Sequence, residues 1–139
     1  MKELFLAGRV LLGGFFLFSG AHHFTNVTSM AAYTAAKGVP APMAAVIVAG
    51  LLLLIGGVTL LLGIAPRVGI VALVMFLVPV TVVMHPFWLE QGMQRMVDLT
   101  NFSKNVALLG AVLMLLAVPV PWPYSAEARA RVQREAGAH

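Results

Sequence analysis

The chain contains no cysteine, which removes disulfides, thiolate metal sites, iron–sulfur clusters and thiol relays from its repertoire. Any redox role has to be carried without sulfur chemistry of its own. Charge is scarce as well: Asp, Glu, Lys and Arg make up 10% of 139 residues, against about a quarter in soluble domains. Phosphate-cradling loops, nucleophile–base arrangements, paired carboxylates and internal repeats are also missing. What is abundant is apolar side chain, at 60% of residues and a mean hydropathy of +0.95. A helix that crosses a bilayer takes about 20 mostly apolar residues. Four crossings therefore use more than half of the chain and leave room only for short connections, which makes this an integral membrane protein with one membrane domain. Nine basic residues against five acidic ones give a formal charge of +4. The basic residues are scattered or sit at predicted helix ends, where they meet anionic headgroups, a distribution that argues against nucleic acid.

The pattern predicts an all-α fold, an antiparallel bundle of four transmembrane helices with short interfacial helices in the outer loops. Segment one runs over 4–23. Met1-Lys2 and Ser19-Gly20-Ala21 imitate a signal peptide and its cleavage site, but Arg9 interrupts what would be the apolar core, which favours a retained first helix. Segments two (42–63) and three (67–85) are joined only by Ile64-Ala65-Pro66, which makes them antiparallel neighbours. Segment four is expected over 102–118, stopped by Pro119, Pro121 and Pro123, with Trp122 as an interfacial anchor. Between the spans, 28–37 reads as a short helix ended by Gly38 and Pro40, and 88–99 as a separate amphipathic cap. The membrane domain is expected over 1–124, followed by a basic tail over 125–139 that forms a surface helix with Ser125 at its N-cap. Lys2, Arg9, Arg67, Arg129, Arg131 and Arg134 fall on one side, and Lys37, Arg95 and Lys104 on the other. The positive-inside rule then puts both termini in the cytoplasm.

Small residues mark helix contacts in lipid, where hydrophobicity drives little association. Ala49, Gly56 and Gly63, with Gly50 and Gly57 beside them, form such a seam on segment two, and exposed seams of this kind also permit a homodimer. Pro79 withdraws a hydrogen bond from the Met75 carbonyl and predicts a kink in segment three. Polar residues inside or at the ends of the spans are few: His22 and His23 end segment one, His85 ends segment three, and Lys104 and Asn105 begin segment four. All five fall at the outer membrane level. Arg9, Gly13, Phe16, Gly20 and His23 share one helical stripe, with Arg9 and His23 about 21 Å apart.

If that stripe faces the bundle, the polar groups gather in an outer pocket walled by Phe87, Trp88 and Phe102. His23 and His85 are the candidate proton-handling residues, and Arg9, His22, Trp88, Lys104 and Asn105 the candidate ligand-binding ones. Such a pocket suits an amphipathic ring whose oxygens exchange hydrogen bonds and protons with imidazole. Each residue also has a plainer reading. His22, His23, Trp88 and Lys104 suit headgroup contact, Arg9 can snorkel to the inner boundary, and Asn105 can bond a neighbouring helix. A metal or haem site lacks a carboxylate partner at ligand spacing.

The residues resemble the DoxX family of small bacterial membrane proteins over about Leu4 to Val118. The resemblance is carried by Gly8-Arg9-Val10-Leu11-Leu12-Gly13, Ser19-Gly20-Ala21-His22-His23-Phe24, and Tyr33 to Pro42. It continues through Gly56-Gly57 with Gly63 and Pro66-Arg67, His85-Pro86-Phe87-Trp88, and Phe102 to Leu108. It implies a multi-pass protein of the bacterial inner membrane that interacts with quinone or quinol, as the membrane subunit of an oxidoreductase with a soluble or membrane redox partner. The alternative it implies is a non-catalytic anchor or assembly factor for a redox complex. On this pattern Arg9, His85 and Asn105 take the positions of the family's first-helix Arg, third-helix His and fourth-helix Asn. One departure stands out: a glutamate common before the paired glycines is replaced here by the run Leu51 to Leu54, which leaves Arg9 without its expected partner.

Overall fold

The computed structural model describes residues 1–137. Six α-helices follow one another: α1 (Lys2–Thr25), α2 (Val27–Ala36), α3 (Pro42–Leu62), α4 (Pro66–Met84), α5 (Gly92–Met114) and α6 (Ala126–Ala136). Four stretches, Lys2–Thr25, Pro42–Leu62, Pro66–Leu89 and Gly92–Ala117, are long and apolar enough to cross a membrane. They alternate in direction, so α2 and a 3-10 turn at Phe87–Leu89 share one end of the bundle, the loop end. The N-terminus, the α3–α4 turn and α6 share the other. Large apolar side chains such as Leu11, Phe18, Val58, Val71 and Met114 are exposed on the flanks. That surface is compatible with hydrocarbon and not with water.

The order of packing is α1 on α3, α3 on α4, and α4 on α5. Glycine makes the first two contacts close. A Cβ placed on Gly57 would lie 2.7 Å from the backbone nitrogen of Leu17 and 2.9 Å from the carbonyl of Gly13. One on Gly56 would run into the Leu73 side chain of α4. The expected seam is therefore two-sided, with adjacent glycines serving different neighbours. Gly63, at φ +67°, adopts the left-handed conformation that ends α3, and Pro66 opens α4 after Ala65. Phe16, Leu53, Leu60, Ile70, Leu73, Leu77 and Val112 fill the centre.

Two sequence expectations are corrected. The amphipathic stretch at 88–99 and segment four are not separate elements. No glycine or proline stands between Gly92 and Gly110, and α5 runs unbroken from Gly92 through the rest of that stretch and on through segment four to Met114. Trp122 is not an interfacial anchor but is 1% exposed. Its ring meets Phe5 edge-on at 5.3 Å, and its Nε1–H donates to the Val118 carbonyl at 3.3 Å. α6 begins as expected, with Ser125 Oγ accepting from the Ala128 N–H at 3.0 Å. Its start is joined to the bundle: Ser125 is fully buried, and Glu127 Oε1 accepts from the Ala65 N–H at 2.6 Å. The last two residues of the tail expected over 125–139 lie outside the described residues.

Candidate functional site

The buried residues of α1 are Arg9, Gly13, Phe16 and Gly20, so the stripe read from helical spacing faces the bundle. At its loop end the stripe meets a cavity of about 540 Å³. The walls are mostly apolar and aromatic, including Phe15, Phe16, Leu53, Phe76, Leu77 and Leu108, with Tyr33 and Thr34 of α2 above. Val48, Met75 and Val83 line the cavity and are also exposed on the flank. It therefore opens sideways onto the surface that hydrocarbon covers, beside α3 and α4. Pro79 and Met75, the pair whose hydrogen bond proline removes, both line it.

Four of the seven sequence candidates come together here. His23, His85, Lys104 and Asn105 all line the cavity. His23 Nδ1 donates to the Ser19 carbonyl at 2.8 Å, and its ring meets Phe76 edge-on at 6.0 Å. Asn105 is buried at 7% exposure and has no hydrogen-bonding protein partner among the described residues. Its amide is left to whatever enters. Lys104 Nζ donates to Asn101 Oδ1 at 3.0 Å from an exposed position.

The other three stand elsewhere. His22 is one residue short of the stripe's His23 and faces outward, stacked on exposed Phe18 and bonded to Asn26. Trp88 is 51% exposed and packs edge-on with Phe87 and Phe102. This trio clamps the turn at Phe87–Leu89 to α5 and does not wall the cavity. Arg9 lies at the opposite end, 2% exposed, beneath the Trp122 ring and beside Gly63. Nη2 donates to the Tyr124 carbonyl at 3.3 Å, while Nε and Nη1 are sealed without partners. Leu54 packs beside Gly20, so the leucine run 51–54 stands about three turns of α1 from Arg9 and a carboxylate there would not reach it. Arg9 lies instead beside Gly63, at the C-terminal, negative pole of α3.

A buried ion network that sequence reasoning missed adjoins the cavity. Asp98 is fully buried. Its Oδ2 takes Lys37 Nζ at 3.1 Å, and its Oδ1 accepts from His85 Nδ1 at 3.2 Å. Lys37 also reaches Glu90 Oε1 at 2.9 Å. Burial alone would disfavour the charge on Lys37, but the hydrogen bonds to Glu90 and Asp98 outweigh it and raise its pKa. The signal was present in the sequence: Asp98, Asn105 and Val112 recur every seven residues, and these are the buried residues of α5. Reading 88–99 as a separate cap broke that repeat.

The DoxX family model matches residues 4–86. The chain belongs to the DoxX family. No curated protein and no solved structure matches it. The DoxX match takes in α1 to α4 and ends one residue past His85, so His23 and His85 lie inside it. Asp98, Lys104 and Asn105 lie beyond it, on α5.

Proposed function

We propose that this DoxX protein binds a quinone or quinol in the loop-end cavity and serves as the membrane subunit of an oxidoreductase. In this reading it lies in the bacterial inner membrane with both termini cytoplasmic. One observation carries the proposal: the cavity gathers two imidazoles, an amide and an ammonium inside apolar walls and opens sideways to hydrocarbon. A ligand dissolved in the bilayer reaches such a site without crossing water. Its ring packs on Phe16 and Phe76 while its oxygens meet His23, His85 and Asn105. With no cysteine in the chain, a partner protein or a bound cofactor exchanges the electrons.

Extraction of the purified protein tests the proposal. Quinone is expected to co-purify with the wild type and to be lost from a folded His23→Ala/His85→Ala variant. Extracts free of quinone, or equal amounts from both, would refute it. The anchor reading draws on one feature: α6 is fixed at its start but has no buried residue, and it presents Arg129, Arg131 and Arg134. If deleting 126–139 abolishes a partner complex while His85→Ala leaves activity intact, anchoring is the function.

A further inference from the structure

The cavity has a roof as well as a side opening. Met30, Tyr33 and Thr34 of α2 line it, and α2, at ten residues, is too short to span and lies across the loop end. Little apolar burial holds this helix down. Its buried residues are Ala31 and Thr34, one small and one polar, and neither removes as much apolar area from water as a leucine would. Both of its ends are joints. Asn26 alone separates α1 from α2, and between α2 and α3 the chain passes through Gly38 at φ +78° and Ala41 at φ 49°. A Cβ on Gly38 would meet nothing within 4 Å, so glycine stands there for its backbone freedom and not for packing.

Polar ties fasten the far side of α2. Lys37, at its C-cap, reaches Asp98 Oδ2 on α5 at 3.1 Å and Glu90 Oε1, just past the Phe87–Leu89 turn, at 2.9 Å. The Tyr33 hydroxyl donates to the carbonyl of Met84, the last residue of α4, at 3.4 Å. Two of these ties converge on His85: Met84 precedes it, and Asp98 accepts from its Nδ1 at 3.2 Å. Lys37 and Glu90 keep 14% and 30% side-chain exposure, so the ties are within reach of loop-side water, while His85 lines the cavity behind them.

We propose that α2 is a hinged lid over the loop-end mouth of the cavity, with Lys37 as its latch. Closed, it separates the cavity from loop-side water; open, it admits water to the end where His85 and Asn105 stand. The slot beside α3 and α4 serves molecules dissolved in hydrocarbon, and the lid serves water. The inference concerns access and not ligand identity, so a cavity that holds no quinone would refute the reading above and leave the lid.

Because the chain has no cysteine, single introduced cysteines report accessibility without background. Thr34→Cys places a thiol of similar size beneath the lid. In lipid nanodiscs, a sulfonate-bearing methanethiosulfonate does not pass through hydrocarbon and has to reach that thiol past α2. Thr34→Cys is expected to react about 100-fold more slowly than Thr28→Cys on the exposed side of α2. Adding Lys37→Met is expected to raise the Thr34→Cys rate about tenfold, whereas Lys37→Arg, which keeps the charge, raises it less. Should Lys37→Met not fold, Glu90→Gln removes the more exposed tie and is expected to give about a threefold rise. Leu60→Cys, at a fully buried core position, is expected to stay unreactive throughout. Labelling of Thr34→Cys as fast as Thr28→Cys in the otherwise unchanged chain overturns the lid, as does the absence of any rise in the latch variants. A rise matched at Leu60→Cys overturns it too, because the whole bundle has then loosened.

Discussion

Removing either partner of the Lys37–Asp98 pair should destabilise the protein, and by unequal amounts. Breaking a buried ion pair costs about 3–5 kcal/mol, most of it from the charge left behind. The two survivors are placed differently. With Lys37→Met, the carboxylate of Asp98, 1% exposed, loses its lysine and keeps the His85 N–H and the Gln94 side chain, and a cost near the top of that range, about 4 kcal/mol, is expected. With Asp98→Leu, Lys37 keeps Glu90 at 2.9 Å and 14% side-chain exposure. The orphaned His85 Nδ1–H adds only the cost of one lost hydrogen bond. A total of about 2 kcal/mol is expected. Replacing both residues removes the buried charge altogether, so the double variant should be more stable than Lys37→Met alone. Reversible denaturant unfolding in mixed micelles, read by circular dichroism, measures all three. If Asp98→Leu is the more damaging, or if the two single changes add, the network is not the coupled unit described.

Three further perturbations test separate parts of the structure. Gly57→Ala forces a Cβ against the backbone of α1 and should cost about 1–3 kcal/mol. Gly110→Ala, where nothing lies within 4 Å, should gain up to about 1 kcal/mol from helix propensity; equal effects in the same unfolding assay would remove the close-packed seam. Both tyrosines have raised pKa values, Tyr33 first through burial and Tyr124 first through its hydrogen bond to Glu3. The phenolate absorbance should therefore appear only above the ordinary tyrosine value of about 10, and a normal or early titration would contradict that placement. Because the pKa of Lys37 is raised, its stabilising contribution is complete below the ordinary lysine value of about 10.4. That contribution is lost only as pH climbs through the higher folded-state value. An alkaline loss of stability beginning below that range, or one unchanged in Lys37→Met, would refute the assignment.

Much of this was legible in the sequence because hydrocarbon imposes strict rules. Span lengths, the three-residue turn before Arg67, and the stripe from Arg9 to His23 all follow from helix geometry and apolar content alone. Proximity across helices was not legible in the same way. Spacing on α1 and α4 brings His23 and His85 to the loop end, but only the packing of both helices around α3 makes them share one cavity. His22 and Trp88 had the right residue types at the right depth and the wrong azimuth. Asp98 was missed because it was read with Glu90, Gln91 and Arg95 as the polar side of a surface element. The unbroken stretch from Gly92 to Gly110 is what extends that helix and turns the carboxylate inward. Trp122 was misread because its proline neighbours suggested only a helix stop at the membrane surface. The packing of Phe5 and Arg9 around it is a long-range feature with no local signature.

The central claim is that a membrane-dissolved ring lodges beside His23, His85 and Asn105, and a photoreactive azidoquinone tests it most directly. After illumination in nanodiscs and peptide mass spectrometry, adducts are predicted on cavity residues such as Met75, Met84 and Phe76, and excess unlabelled decylubiquinol should suppress them. Adducts spread over outward-facing residues such as Leu11, Phe18 and Met114, with no suppression by the competitor, would contradict the account.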